Sequence, residues 1–237
     1  MTTGRLHSVE TLGAVDGPGI RTVFFFQGCP ARCLYCHNPD TWSEISGMTA
    51  AVEDIVRRAE RGRPYYGTEG GVTFSGGEPL LQGEFLCEAL QALRDAGIHT
   101  AIDTSGTYFD EWTKRCIEQT DLVLLDIKHT DEDAFRELTG RDQSNLFQLI
   151  DVINRTETPV WIRQVIVPGM NDSEESVHAL KRFTRQIQTI EKIELLGYHD
   201  LGKSKYEKMG VPYRLDGVPA MDKDRLRELQ ELIDAAE

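Results

Sequence analysis

The stretch DAGIHTAIDTSG, Asp95–Gly106, holds in one short span the unit from which the fold is read. Gly97 stands where a helix must stop, since glycine enters the left-handed conformation at a helix end with little cost. Thr100–Thr104 follows as a short apolar run, and Asp103 and Thr104 leave a carboxylate and a hydroxyl at its end. The same succession recurs on both sides. Strand candidates are Thr22–Gln27, Gly71–Ser75, Thr100–Thr104, Leu122–Ile127, Val160–Val167 and Lys192–Leu196. Each is short, apolar and flanked by turn residues, as buried parallel strands are. Helical patterns run near Ala50–Arg61, Gly83–Ala96, Phe109–Gln119, Asp131–Thr139 with Ser144–Arg155, Ser173–Gln188 and Asp222–Ala235. In NDSEES, Asn171–Ser176, Asp and Ser offer helix N-caps with acids in the first turn.

Six β/α units predict an α/β fold with a parallel sheet wound right-handedly. Six strands are too few to close an eight-stranded barrel. The expectation is a partial (β/α)6 TIM-like barrel, open-sided, with a doubly wound open sheet as the alternative that strand counting leaves standing. In either case ligands collect at the carboxyl ends of the strands. Those ends hold Gln27–Cys29, Ser75–Glu78, Asp103–Thr104 and Asp126–Lys128.

The 237 residues contain no repeat, low-complexity segment or long Pro/Gly/Ser linker, so a single domain over 1–237 is expected. No apolar run is long enough to span a membrane and no apolar leader opens the chain, which reads as cytoplasmic. With 26 Lys and Arg against 39 Asp and Glu, the formal charge is −13. Such a surface repels phosphate backbones, which excludes nucleic acid as a partner class. The five cysteines are an odd number, which in a cytosolic chain argues against a disulfide framework. Cys87 and Cys116 sit alone in helical patterns and are expected as separate buried thiols.

The other three cysteines fall in FQGCPARCLYCHNPDTW, Phe26–Trp42, with C-x3-C-x2-C spacing. Thiolates select iron–sulfur clusters, zinc or copper(I). Zinc would take His37 as a fourth ligand, but Cys36 and His37 are neighbours whose side chains diverge. A c-type haem would use Cys33-x-x-Cys36-His37, leaving Cys29 unexplained. A four-iron cluster on Cys29, Cys33 and Cys36 lacks the fourth cysteine of an electron carrier. One iron would then stay open, as metal catalysis requires.

The remaining candidates lie at strand ends. SGGEP, Ser75–Pro79, has two glycines where backbone must approach something closely, followed by the charge of Glu78. IDTSG, Ile102–Gly106, and LLDIK, Leu124–Lys128, bring Asp103 and Asp126 to neighbouring ends with Lys128 beside them, and buried charges must be paired or ligate a cation. Arg163, on the fifth strand candidate, is placed to pair with a carboxylate. YHDLGKSKYEKMG, Tyr198–Gly210, follows the sixth and carries His199.

Cys-x3-Cys-x-Tyr35-Cys resembles the signature of the radical S-adenosylmethionine superfamily. With VDGPGIR, SGGEPLLQ, GIHTAIDTSG, DLVLLDIK, VWIRQVIVPGMND and IEKIELLGYHDLGK, the chain resembles that superfamily's glycyl radical enzyme activases of the pyruvate formate-lyase type. No cysteine-rich insertion follows Cys36, which favours that type. The resemblance implies one 4Fe-4S cluster on Cys29, Cys33 and Cys36, with an open iron that binds the amino and carboxylate groups of S-adenosylmethionine. It places Tyr35, Cys36, His37, Gly76, Gly77, Glu78, Asp126, Ile127, Lys128, Arg163 and His199 in the cofactor pocket. It implies a monovalent cation at Asp103, Thr104 and Asp126. It also implies pyruvate formate-lyase as a protein substrate presenting its glycine loop, helped by VDGPGIR (Val15–Arg21), and a flavodoxin-type reductant.

Overall fold

A computed structural model describes residues 2–235. In chain order the strands and helices are β1 (Thr3–Gly13), β2 (Arg21–Phe26), β3 (Met48–Ala51), α1 (Val52–Tyr66), β4 (Gly71–Gly76), α2 (Gly83–Asp95), β5 (Thr100–Thr104), α3 (Thr113–Gln119), β6 (Leu122–Asp126), α4 (Glu132–Thr139), α5 (Ser144–Thr156), β7 (Val160–Ile166), α6 (Glu174–Thr184), β8 (Ile190–Gly197), α7 (Lys203–Met209) and α8 (Lys223–Asp234). One eight-stranded sheet runs in the order β3-β1-β2-β4-β5-β6-β7-β8. From β2 to β8 neighbouring strands pair in parallel and follow chain order without reversal. A doubly wound sheet turns back on itself at a switch point. This one does not, and it ends unclosed on β3 and β8, as an open-sided barrel does.

The period of two along each strand divides the interior from the helix layer. Phe24, Phe26, Val72, Phe74, Ile102, Val123, Leu125 and Ile162 pack with Ile55, Leu86, Leu90, Ile117 and Leu149 in one core under the helices. The alternate residues Ala101, Leu122 and Leu124, with Trp161, pack on the opposite, concave face. Two residues further along those same strands stand Asp103, Asp126 and Arg163, so the concave face is apolar below and charged above.

Helix ends follow the predicted chemistry. The Ser173 side chain accepts from the Ser176 N–H at the start of α6, and Gly97 has φ +65° just past α2. Three elements had no counterpart in the sequence reading: β1, β3 and α7. One expectation is overturned. Cys87 on α2 and Cys116 on α3 are not separate thiols but a disulfide, with Cα atoms 5.0 Å apart. Both helices turn their buried faces toward each other, and two small residues meet there. Five cysteines therefore resolve into one pair and three free thiols, Cys29, Cys33 and Cys36.

The exposed edge of β8 is partly covered from α8. The Gln230 side chain accepts from the Leu195 N–H (2.8 Å) and donates to the Ile193 carbonyl (2.9 Å), as a neighbouring strand would. Edge strands left bare recruit other strands. Gln230→Ala is expected to lower the urea midpoint without changing the slope, at a cost of about 2 kcal/mol for two hydrogen bonds. Size-exclusion chromatography should show an added self-associated species.

Candidate active site

The cysteine loop leaves β2 through Gly28, at φ +95°. The Gly28 N–H donates to the Thr41 carbonyl (2.7 Å), closing the loop's entry onto its exit. The Gln27 side chain donates to the Asp40 and Ser43 carbonyls (2.9 and 2.8 Å). On the far side, the N–H groups of Arg32 and Leu34 donate to Thr139 and Leu138 at the end of α4 (2.8 and 3.0 Å).

The turn after β4 packs directly against this loop. The Gly77 N–H donates to the Phe26 carbonyl, and the Glu78 N–H to the Gly28 carbonyl, both at 2.9 Å. Gly76 has φ +106°, and a Cβ on it would lie 2.4 Å from the Phe26 nitrogen. A Cβ on Gly77 would lie 2.1 Å from the Gly28 carbonyl oxygen. Glycine is required here because two backbones touch.

Around the loop lies a cavity of about 250 Å³, walled by Cys29, Cys33, Tyr35, Cys36, His37, Gly76, Gly77, Asp103, Thr104, Asp126 and Lys128 among others. The Lys128 ammonium pairs with Asp126 Oδ2 at 2.5 Å and lies 5.3 Å from the Tyr35 ring centroid. Burial works against that ammonium, but Asp126 overrides it and holds the Lys128 pKa well above its ordinary value. Asp103 accepts from the Ser75 hydroxyl (2.7 Å), and burial raises its pKa. Asp126 Oδ1 and the Tyr35 hydroxyl are buried with no hydrogen-bond partner among the described residues. Orphaned polar atoms in a cavity wall are what a polar ligand would satisfy.

Burial pushes the thiols up, Cys29 to about 12 and Cys33 to about 11, and raises Cys36. Iron or zinc must displace those protons on binding. Among the described residues, no group of three or more His, Cys, Asp or Glu is arranged to hold one shared ion. One tetrahedral zinc needs its thiolates converged at about 2.3 Å from the metal. A cubane takes each thiolate on a different iron, and three separate thiols facing one cavity suit that donor set.

Four residues expected in the pocket are not among its walls. Glu78 is fully enclosed: its carboxylate accepts from the hydroxyls of Thr104 (2.7 Å) and Ser105 (3.0 Å), and from the N–H groups of Ser105 and Leu80. It fastens the β4 turn to the β5 turn. Ile127 follows Asp126 in the chain and so points the other way, into the core. Its N–H donates to the Arg163 carbonyl, and its carbonyl accepts from Gln164. Arg163, in register with Asp126 across β6 and β7, turns instead toward Glu194 (3.4 Å) and donates to the Val15 carbonyl. His199 stands behind His37: the rings stack at 4.1 Å, and His37 Nε2 meets the His199 carbonyl at 2.9 Å. The His199 Nδ1 is buried without a partner among the described residues.

The sequence reading gave no role to the Ser75 and Ser105 side chains and no helix to Lys203–Met209. Lys205 on that helix donates to Asn38 (2.7 Å) and pairs with Asp40 (3.0 Å) beyond the last cysteine. The only signal was the run of charged and aromatic residues after His199.

An open parallel barrel with three free thiols at its mouth defines the radical S-adenosylmethionine class, and the model of the Radical SAM superfamily matches residues 23–180. The chain is 46% identical over 234 residues to the pyruvate formate-lyase-activating enzyme of Clostridium pasteurianum, covering 98% of both chains. It is 42% identical to the pyruvate formate-lyase 1-activating enzyme of Escherichia coli K12, covering 98% of this chain and 95% of that one. Among solved structures, a domain of a pyruvate-formate lyase-activating enzyme from Bacteroides vulgatus aligns with TM-score 0.56 at 25% identity, over 70% of this chain and 93% of that one. Streptococcus suis SuiB bound to its precursor peptide aligns with TM-score 0.67 over 90% of this chain and 44% of that one. At 19% identity, that second likeness shows the fold. The chain belongs to the Radical SAM superfamily and, within it, to the pyruvate formate-lyase-activating enzymes. It is therefore an enzyme, and its family implies a 4Fe-4S cluster and S-adenosylmethionine.

Gly77→Ala should part the turn from the cysteine loop, costing about 3 kcal/mol for two backbone hydrogen bonds and strain. Bound iron after anaerobic reconstitution should fall while far-UV circular dichroism stays unchanged. Glu78 yields a second outcome. Burial raises its pKa from 4.5 to about 7. Between those values the folded chain keeps a proton that the unfolded chain has lost, so stability of the metal-free chain falls as pH rises through that window, by up to about 3 kcal/mol. Denaturant midpoints compared near pH 5 and pH 8 should show the fall, and Glu78→Gln should flatten it.

Proposed function

We propose that this chain activates pyruvate formate-lyase under anaerobic conditions by installing a radical on a glycine of that enzyme. The observation that carries the reading is the meeting of three free thiols with a carboxylate–ammonium pair around one cavity, in a chain nearly half identical to activating enzymes. When bound, the cluster and S-adenosylmethionine supply one-electron cleavage of the sulfonium to methionine and a 5′-deoxyadenosyl radical, which takes a hydrogen atom from the glycine α-carbon.

Cys29, Cys33 and Cys36 would hold three of four irons. The free Asp126 Oδ1 and the Lys128 ammonium are the polar groups aimed into the cavity for an amino acid moiety. Tyr35, His37, Gly76 and Gly77 shape its walls. Glu78 acts on the site by fixing the turn. His199 would act through His37, or through its unpartnered Nδ1. Asp103, Thr104 and Asp126 share the wall as oxygen donors for a monovalent cation.

A glycine brings no side chain, so the partner must insert backbone. A second hollow, of about 720 Å³, supports entry from the open side. It is lined by Val15, Gly17, Pro18, Gly19, Arg163 and Glu194, and Leu196 borders both hollows. A flavodoxin-type protein as electron donor and a cytoplasmic setting complete the proposal; no helix among the described residues is long and apolar enough to cross a membrane.

The test is electron paramagnetic resonance of the anaerobic, reconstituted chain with S-adenosylmethionine and purified pyruvate formate-lyase. A doublet from a carbon-centred glycyl radical is expected, and Cys33→Ala should abolish it. Cleavage of S-adenosylmethionine with no radical on the partner would instead support an enzyme acting on a small molecule.

A further inference from the structure

The last cysteine is gripped from a part of the chain some 170 positions away. The Tyr206 hydroxyl, on α7, donates to the Cys36 carbonyl at 3.0 Å. Its ring meets Trp42 edge-on at 5.8 Å and Tyr213 at 5.0 Å. The opposing surface is equally close: a Cβ on Gly202, just before α7, would lie 2.8 Å from the His37 Cα and 3.3 Å from the Cys36 carbonyl oxygen. Tyr206 is buried in a cluster with Leu34, Tyr35, Tyr198 and Tyr213. Among the described residues, no side-chain hydroxyl reaches Cys29 or Cys33 in this way: the Cys29 carbonyl accepts from Arg32 (2.7 Å), and the Cys33 carbonyl accepts from the Cys36 N–H (3.1 Å).

A hydroxyl that donates to a carbonyl fixes the plane of that peptide and brings the positive end of the O–H dipole toward the residue. Buried, where screening is weak, that dipole favours added negative charge nearby. We propose that Tyr206 is a positioning residue for the third thiolate, orienting Cys36 through its carbonyl and making the cluster easier to reduce. The inference rests on the cluster reading given above. It assigns an electronic role to a helix that otherwise reads as a lid on the loop. Outer-sphere hydrogen bonds and burial are the means by which a protein sets the potential of an iron–sulfur cluster.

The experiment uses the full chain, reconstituted anaerobically, as wild type, Tyr206→Phe and Tyr213→Phe. Tyr206→Phe keeps the ring and loses the donor. Tyr213→Phe removes the buried Tyr198–Tyr213 hydroxyl contact (2.8 Å) in the same cluster without touching Cys36. Iron per chain is counted, and the cluster is titrated with photoreduced deazaflavin and mediators, read by electron paramagnetic resonance. Tyr206→Phe is expected to hold four irons and to show about a threefold smaller reduced-to-oxidised ratio where wild type is half reduced. At about 59 mV per tenfold for one electron, that is a midpoint about 30 mV lower. Tyr213→Phe should titrate with wild type. An unchanged midpoint in Tyr206→Phe, an equal shift in Tyr213→Phe, or loss of iron from Tyr206→Phe alone would each overturn the proposal. Absence of a four-iron cluster from wild type would instead overturn the reading beneath it.

Discussion

The site depends on backbone touching backbone. Gly77 and Glu78 donate their N–H groups to carbonyls on either side of the β2 exit, and no side chain fits between. That contact fixes where the cysteine loop leaves the sheet, and so where three thiols can stand. Glu78 holds the turn from the other side by accepting from the β5 turn. A carboxylate enclosed by four donors in a dry turn is costly to bury and costly to misplace. The charge that reads as a ligand contact in the sequence is better understood as a rivet. It acts on chemistry by holding glycine backbone against the loop.

Above this frame the barrel concentrates charge on its concave face. Asp103, Asp126 and Arg163 share that face because each stands two residues after an inward apolar residue on its strand. Lys128 and Asp126 neutralise each other across 2.5 Å, leaving one carboxylate oxygen without a partner. A buried ion pair of this kind contributes little net stability. Its retention at the cavity wall is better explained by binding than by folding. The thiols make the same point from the opposite direction, since burial holds them protonated and unreactive until metal replaces the proton.

Most of this arrangement was legible in the chain. The six parallel strands show as apolar runs because both their faces are covered, and their order follows from one repeated unit. What was hidden had weak periodicity. In β1, Leu6 is the only buried side chain larger than glycine, and Glu10–Leu12 are exposed, so no alternation marks it. β3 is four residues of MTAA that read as the first turn of α1. α7 buries only Tyr206, too little for a helical stripe. Ile127 and Glu78 were placed in the pocket by resemblance, which carries no orientation: Ile127 follows Asp126 and turns into the core, and Glu78 lies past the end of β4, where its carboxylate closes on the β5 turn. The Cys87–Cys116 pair was invisible for a different reason. Its residues meet only because α2 and α3 pack side by side, and no local pattern encodes that.

The C-terminal elements are therefore not trimming on a finished barrel. β8 sends the chain back over the mouth, and His199, Gly202, Lys205 and Tyr206 all bear on the segment from Cys36 to Asp40. The cysteine loop is thus held by three distant regions: the β4 turn beneath, the end of α4 beside and α7 above. A loop alone carries too few apolar contacts to keep three thiols in one geometry against its own entropy. Spreading its anchors over the barrel makes the geometry of the thiols a property of the whole fold.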